Sequence, residues 1–292
     1  MNQTTKKYAG SEFYVGTKLI LVPIFVLMLF FIVPIAQIIS SSFLSPSLTL
    51  DNYVRIFSSS VYLEVIWITL RISLVVTFSC LLIGYPFALF LHKLQPKTRK
   101  ALMVLAILPL WINPLAFIQG WRIILQREGI VNRILMEAGI IVEPLQLIYN
   151  LFAVSLVMVY LLVPFMTLPI YASLKQLDLN LVKASQNLGA SPFQTFRRVI
   201  FPMTLSGVQT GMLLVFILAM GYFVTPTLLG GRSELVISRV IDEQINRLFN
   251  WGFGSALTVL LFLVIITLFL IMRFIPRREF AQTLWREFYV GT

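Results

Sequence analysis

The sequence contains little charge, one cysteine and one histidine. Only 12% of its 292 residues are charged, whereas soluble domains average about 25%. The single Cys80 excludes an internal disulfide, and the single His92 has no cysteine or carboxylate cluster beside it that would complete a metal site. No Gly-x-x-x-x-Gly-Lys-Ser/Thr segment is present, so the chain lacks a phosphate-binding loop. We therefore expect no catalytic residues, metal ion or cofactor on this chain.

Long apolar runs take up most of the chain, since 58% of its residues are hydrophobic. A membrane-spanning helix needs roughly 20 apolar residues. Six runs reach that length, which predicts an all-α membrane protein with six transmembrane helices, at about 19–39, 65–91, 101–121, 150–174, 205–229 and 256–275. The first run is longer than the h-region of a signal peptide and no clear Ala-x-Ala site follows it, so we expect an uncleaved first span.

The basic residues are distributed unevenly between the two sides of these spans. Fifteen of the 23 Lys and Arg residues fall in segments on one side, which the positive-inside rule makes the cytoplasmic side. Both termini are then cytoplasmic, and the net charge of +11 reflects topology rather than nucleic-acid binding. The predicted organisation is a cytoplasmic tail at 1–18, a first span at 19–39, an outside loop at 40–64, a core of five spans at 65–275 and a cytoplasmic tail at 276–292.

A polar loop at 178–202, between the fourth and fifth runs, predicts two short helices. Gly189 is suited to the left-handed conformation that ends a helix. Ser191 and Gln194 form a capping box that starts the second helix, with Pro192 at its first position. Pro202 is expected to end that helix before the fifth span. The loop either packs on its own bundle or docks a cytoplasmic partner.

This loop resembles the "EAA" loop of bacterial ATP-binding-cassette (ABC) importer permeases, whose pattern is Glu-Ala-Ala, three residues, Gly, nine residues, Ile-x-Leu-Pro. Identical or similar residues stand at Ala184, Gly189, Val199, Phe201 and Pro202. Lys183 replaces the usual Glu, and Ser185 replaces the second Ala. Further segments resemble the spermidine/putrescine-type subgroup, namely 108–111, Gly129 with Asn132, 163–166, 189–192, 223–226, 229–231 and Trp251. The similarity therefore covers about residues 15–275.

The resemblance implies the type I importer permease fold in the bacterial inner membrane. It implies a second permease subunit, usually a paralogue, two cytoplasmic subunits that bind ATP and Mg, and an extracytoplasmic solute-binding protein. ATP hydrolysis then belongs to a partner, and this chain contacts lipid but no nucleic acid. The implied solute is a polyamine, with an opine, an amino-acid derivative, thiamine, an aminophosphonate or iron as alternatives. The implied ATPase-coupling residues are Lys183, Ala184, Ser185, Gly189, Ala190, Ser191 and Pro192.

Polar and aromatic residues in the spans are predicted to line a substrate pathway. The stretch 221–226 combines Gly, Thr and Pro, which predicts a broken helix facing a cavity. The family often has an acid at the position of Tyr222, but aromatic faces also hold ammonium groups by cation–π contact. The predicted pathway residues are Trp111, Trp121, Tyr160, Tyr222, Phe223 and Thr225.

A secondary transporter acting alone is the main alternative function. Such a transporter normally carries carboxylates near the membrane midplane. Here the second run holds only Glu64 and Arg71 in or near its membrane section, and we expect them to form an ion pair that stabilises helix packing. Gly207 and Gly211, at Gly-x-x-x-Gly spacing, favour close packing within the bundle over a subunit interface.

Overall fold

The computed structural model describes the backbone of residues 3–44 and 47–274. The predicted cytoplasmic tail at 276–292 lies outside these residues. Within them the chain forms α-helices and no β-strand, which confirms the all-α class. The helices are α1 Gln3–Phe43, α2 Asp51–Ser58, α3 Ser60–Lys93, α4 Pro96–Ile107, α5 Pro114–Leu125, α6 Ile130–Glu137, α7 Leu151–Lys175, α8 Leu179–Asn187, α9 Pro192–Thr195, α10 Phe201–Gly221, α11 Val224–Leu229, α12 Ile237–Asp242 and α13 Trp251–Phe274.

Five helical stretches of the described residues are long and apolar enough to cross a membrane: Pro23–Phe43, Ser60–Lys93, Leu151–Lys175, Pro192–Gly221 and Trp251–Ile271. The run predicted at 101–121 is not one straight helix, because its two halves meet at an angle of 98°. The break lies between Trp111 and Pro114, where Asn113 caps the new helix by accepting from the Leu115 amide at 2.9 Å. Counted as one bent span, this pair brings the total to the six predicted.

Two compact units divide the chain, namely residues 1–58 with 241–260, and residues 59–240 with 261–292. In the first unit, α1 begins at Gln3, so the segment expected to be a tail is largely helical. The Tyr53 hydroxyl donates to Ser42 Oγ at 2.8 Å, and the Arg55 guanidinium lies 4.4 Å from the ring centre of Phe253. These contacts join the short helix α2 to α1 and to the start of α13.

In the second unit, α7 packs between α3 and α10. Glycines make this close approach possible, because a Cβ atom on Gly207 would lie 2.6 Å from the Pro169 carbonyl oxygen. A Cβ atom on Gly211 would lie 2.8 Å from Met166 Sδ. The Gly-x-x-x-Gly spacing therefore serves packing inside the bundle, as predicted. The fully buried side chains between these helices include Val76, Val157, Met158, Met166, Ile170 and Val215.

A row of buried hydroxyls on α3 includes one that attaches the start of α12 to the bundle. The Thr69, Ser73 and Thr77 hydroxyls each donate to the carbonyl four residues earlier, at 2.7–2.8 Å. Thr69 Oγ1 also accepts from the backbone amide of Ile237 at 2.9 Å. Because a buried amide without a partner is costly, this bond fixes where the chain returns to α3.

Candidate functional site

The first short helix of the polar loop, α8, has well-defined ends. Asp178 caps its start by accepting from the Asn180 amide at 2.9 Å. At its other end Gly189 has φ +83°. The Gly189 amide donates to the Gln186 carbonyl at 3.0 Å and the Ala190 amide donates to the Ser185 carbonyl at 3.1 Å. This pair of bonds is a Schellman motif, which confirms Gly189 as the terminating residue.

The second short helix, α9, begins with the predicted capping box. The Ser191 amide donates to Gln194 Oε1 at 2.8 Å, and the Gln194 amide donates to Ser191 Oγ at 3.3 Å. Pro192 occupies the first helical position, where its missing N–H has no intrahelical partner to lose. The local sequence signals are therefore sufficient to start this helix.

Pro202 does not end the second helix, so that prediction is wrong. The chain continues through a π-helical turn at Phe196–Ile200 into α10, and Pro192–Gly221 is one candidate span. A proline removes the amide that would bond to the carbonyl four residues earlier, here that of Arg198. The π turn accommodates this loss through a wider bond, in which the Phe201 amide reaches the Phe196 carbonyl.

A hydroxyl pair fixes the two short helices against each other. Ser185 Oγ donates to the Val182 carbonyl at 2.8 Å, so its own proton is used within α8. Ser185 Oγ also lies 3.0 Å from Thr195 Oγ1, which must then be the donor. Thr195 is buried, with 2% of its surface exposed. Thr195 was not among the predicted site residues. The signal for it is the hydroxyl of Ser185, at a position where the family has Ala, because a hydroxyl on this helix calls for a hydrogen-bond partner.

The outer surface of α8 leaves its apolar side chains uncovered. Leu188 is 88% exposed and Leu181 is 47% exposed. Lys183 and Ala184 are exposed as well, and Phe193 on the second helix is 68% exposed. The apolar side chains of Leu181, Ala184 and Leu188 are thus exposed rather than packed on this chain's own bundle, which argues against the internal-packing alternative. We call this surface the loop face.

Aromatic side chains attach the loop to the bundle. The Tyr85 ring on α3 meets the Phe196 ring edge-on at 5.8 Å between centres, and the Phe201 ring at 5.9 Å. The Tyr85 and Thr204 hydroxyl oxygens lie 2.8 Å apart. No local pattern in the sequence indicates this role for Tyr85, because its partners are more than 100 residues away along the chain.

Two of the predicted pathway residues lie in contact in the structure. Trp121 on α5 meets Tyr160 on α7 edge-on at 5.9 Å between ring centres. Phe117, which sequence analysis did not select, stacks on Tyr160 at 5.4 Å with an interplanar angle of 23°. We call Phe117, Trp121 and Tyr160 the aromatic trio. Trp111 lies at the bend between α4 and α5, where it is 85% exposed.

The other three predicted pathway residues mark a broken helix. α10 ends at Gly221 and α11 begins at Val224, so Tyr222 and Phe223 form the break, as predicted. Ser238 Oγ donates to the Tyr222 carbonyl at 2.9 Å, so one of the free carbonyls at the break has a partner. Thr225 is fully buried and its Oγ1 has no hydrogen-bond partner. Because α11 packs against α5 and α7, the break and the aromatic trio lie on neighbouring elements.

The charged residues of α3 do not form the expected pair. Glu64 and Arg71 are both exposed, and no ion pair joins them in the described part of the chain. Seven residues separate them by about 10 Å along the helix axis. Among the described residues, no group of three or more His, Cys, Asp or Glu residues is arranged to hold a metal ion.

The structure combines a helical membrane bundle with an exposed, capped loop and a broken span, the features that the resemblance to importer permeases implies. Residues 81–280 match the family model "Binding-protein-dependent transport system inner membrane component", and the chain belongs to this family. It is therefore an inner-membrane protein and a permease subunit of an ABC importer. The family description and the ABC class together imply a solute-binding protein and an ATPase as partners.

Named relatives and solved structures agree with this family. The chain is 41% identical over 246 residues to the spermidine/putrescine transport system permease protein PotB of Salmonella typhimurium (strain SL1344), covering 82% of this chain and 85% of the relative. It is 42% identical over 229 residues to PotB of Haemophilus influenzae, covering 77% and 80%. A bacterial ABC transporter for alginate import matches with a TM-score of 0.71 at 18% identity, over 95% of this chain and 99% of that chain. At that identity the likeness concerns the fold, which is that of the ABC importer permeases, as predicted.

Proposed function

We propose that this chain forms half of the translocation pathway of a polyamine importer, with spermidine and putrescine as solutes. The observation that carries this proposal is the 41% identity to the PotB permease over 82% of the chain. The aromatic trio is compatible with a cationic solute, because aromatic faces attract ammonium groups.

The partners follow from the same assignment. A second permease, a paralogue of this one, completes the pathway, and two cytoplasmic subunits bind ATP and Mg. A solute-binding protein delivers polyamine from the outside. This chain binds no nucleotide itself, and hydrolysis takes place on the ATPase.

The loop face is the proposed docking surface for one ATPase subunit. The coupling residues are Lys183, Ala184, Ser185, Gly189, Ala190, Ser191 and Pro192. The strong exposure of Leu188 and Phe193 supports this role, because large apolar side chains left uncovered by their own chain are typical of interaction sites. Ser185 contributes indirectly, by holding α8 against Thr195.

Reconstitution tests the solute assignment. The permease pair and ATPase are placed in proteoliposomes with the binding protein, and ATP-dependent uptake of labelled spermidine and putrescine is measured. Uptake that requires both ATP and the binding protein supports the proposal. Uptake of an opine, an amino-acid derivative, thiamine, an aminophosphonate or iron in place of polyamine would contradict the polyamine assignment.

A loop variant tests the docking surface. Leu188→Asp should lower copurification of the ATPase at least tenfold, because it places a charge in an apolar contact. Leu48→Asp is the matched control, since Leu48 is 82% exposed outside the loop. Equal ATPase recovery from both variants would show that the loop face is not the docking surface.

A further inference from the structure

The aromatic trio contains a tyrosine in an unusual place for a membrane helix. Tyr160 is 46% exposed on α7, a helix whose other side chains form much of the core. It lies nine residues after Leu151 and fifteen before Lys175, or about 14 Å and 22 Å along the helix axis. Since the apolar layer is about 30 Å thick, Tyr160 is near its middle and far from the interfacial belts where tyrosines usually lie.

An exposed phenol at this depth does not suit a lipid-facing surface. Its hydroxyl needs a hydrogen-bond partner, and hydrocarbon offers none. A surface of the bundle that faces a water-filled pathway supplies water to the hydroxyl and leaves the ring accessible. The exposure of Tyr160 therefore points to the pathway side of α7.

The two other rings extend this surface. Phe117 stacks on Tyr160 with an interplanar angle of 23°, and Trp121 meets Tyr160 edge-on at 63°. Both Phe117 and Trp121 are half-buried, so α5 holds them in position while part of each remains accessible. The result is a group of three π systems from two helices, with Tyr160 as the most exposed member.

The two helices that carry the trio offer no carboxylate to a bound cation. Neither α5 nor α7 contains an Asp or Glu. The neighbouring Arg122 guanidinium donates to the Tyr149 hydroxyl at 3.2 Å, outside the trio. Rings without a carboxylate hold an ammonium group weakly, which suits a site that must release its ligand inward.

We propose that Phe117, Trp121 and Tyr160 form a binding site for an alkylammonium group during passage through this permease. For polyamines as the passing solute, the inference rests on the proposed function. The trio then determines specificity for cations and contributes to KM. If the trio served only to pack α5 against α7, the KM for uptake would not depend on the electrostatics of the rings.

A fluorination series at Tyr160 separates these roles in the complete reconstituted transporter. Tyr160 is replaced by Phe and by mono-, di- and trifluorophenylalanine, which weaken the negative face of the ring with little change in shape. The KM for polyamine uptake should rise stepwise with each fluorine, by about tenfold across the series, which is within the range of a cation–π contact. The same series at Phe152, a 55% exposed aromatic on α7 outside the trio, is the control. A KM that is independent of fluorine number at Tyr160, or that rises equally at Phe152, would overturn the site.

A binding measurement decides the inference independently of the transported solute. The complex in nanodiscs carries 5-fluorotryptophan, and the Trp121 fluorine resonance is assigned with Trp121→Phe. Titration with butylammonium should shift this resonance saturably, and Tyr160→Leu should abolish the shift. No shift in the wild type overturns the inference even if polyamines are transported. If the wild type transports no polyamine, the proposed function fails, while the butylammonium shift still decides whether the site exists.

Discussion

The Tyr85 hydroxyl lies 2.8 Å from the hydroxyl of Thr204, 119 residues further along the chain. Because Thr204 Oγ1 donates its own proton to the Phe201 carbonyl at 3.0 Å, Tyr85 is the donor in this pair. The bond joins α3 to α10 at the level where the loop enters its span. Together with the edge-on contact to Phe196, it links the loop to two core helices.

Tyr85→Phe should weaken this link while keeping the ring. The loss of one buried hydrogen bond costs about 1 kcal/mol, and we expect a small fall in thermal stability. If the link transmits loop movement, uptake per ATP hydrolysed should fall more than ATPase activity does. Both are measured in proteoliposomes.

The Thr204→Val variant completes a double-mutant cycle for the same bond. Either single change removes the bond, so the double variant should be little worse than the worse single variant. Strictly additive losses in uptake per ATP would show that the two hydroxyls act independently.

Gly207→Ala and Gly211→Ala should each destabilise the bundle. The new methyl group would lie within 3 Å of α7 backbone or side-chain atoms in both variants, and overpacking of this kind costs about 1–3 kcal/mol. The measurement is the thermal unfolding of detergent-solubilised protein. Gly120→Ala is the control, because a Cβ atom there meets nothing within 4 Å; an equal loss in that variant would contradict the packing explanation.

Gly189→Val should uncouple the loop without preventing membrane insertion. Its φ of +83° is in the left-handed region, which a β-branched residue adopts with strain. Uptake should fall at least tenfold while the protein level stays normal. Gly189→Asn should retain most activity, because Asn tolerates this conformation. Unchanged uptake in the Val variant would show that the Schellman turn is dispensable.

Asn132→Ala should loosen the segment after α5, on the side predicted to face outward. Asn132 is fully buried, its Nδ2 donates to the Leu145 carbonyl at 2.9 Å, and its Oδ1 accepts from the Leu145 amide at 2.9 Å. Removing it leaves buried backbone groups unpaired, at a cost of about 1–3 kcal/mol. Hydrogen exchange at Leu145 should accelerate, whereas Asn246→Ala, at an exposed residue, should leave it unchanged.

Local signals in the sequence were sufficient for most of the secondary structure. The capping box at Ser191 and the glycine at 189 act through neighbours within a few residues, so their effects follow from the sequence alone. The apolar runs predict spans for a similar reason, because length and composition decide them. The 98° bend after Trp111 was not predicted, because hydropathy stays high through this run. The helix is broken by two prolines and a capping Asn, which hydropathy does not register.

Tertiary contacts explain the remaining differences from the sequence analysis. Nothing near Tyr85 indicates that it will meet Phe196 and Thr204, and Thr195 gains its role only from Ser185 across the turn. In the sequence Phe117 is one of many apolar residues in its run, and only the packing of α5 near α7 brings its ring onto that of Tyr160. Helix continuation through Pro202 depended on the π turn, a form too rare to be expected from composition.

The π turn at Phe196–Ile200 also sets the rotational phase between the loop and α10. One helical residue corresponds to about 100° around the axis. Deleting a single residue from this turn would therefore swing the loop face through roughly that angle, with every side chain in it unaltered. For this segment the number of residues determines the direction of the loop face as much as their identity does, so aligned relatives of equal function should keep its length even where its residues differ.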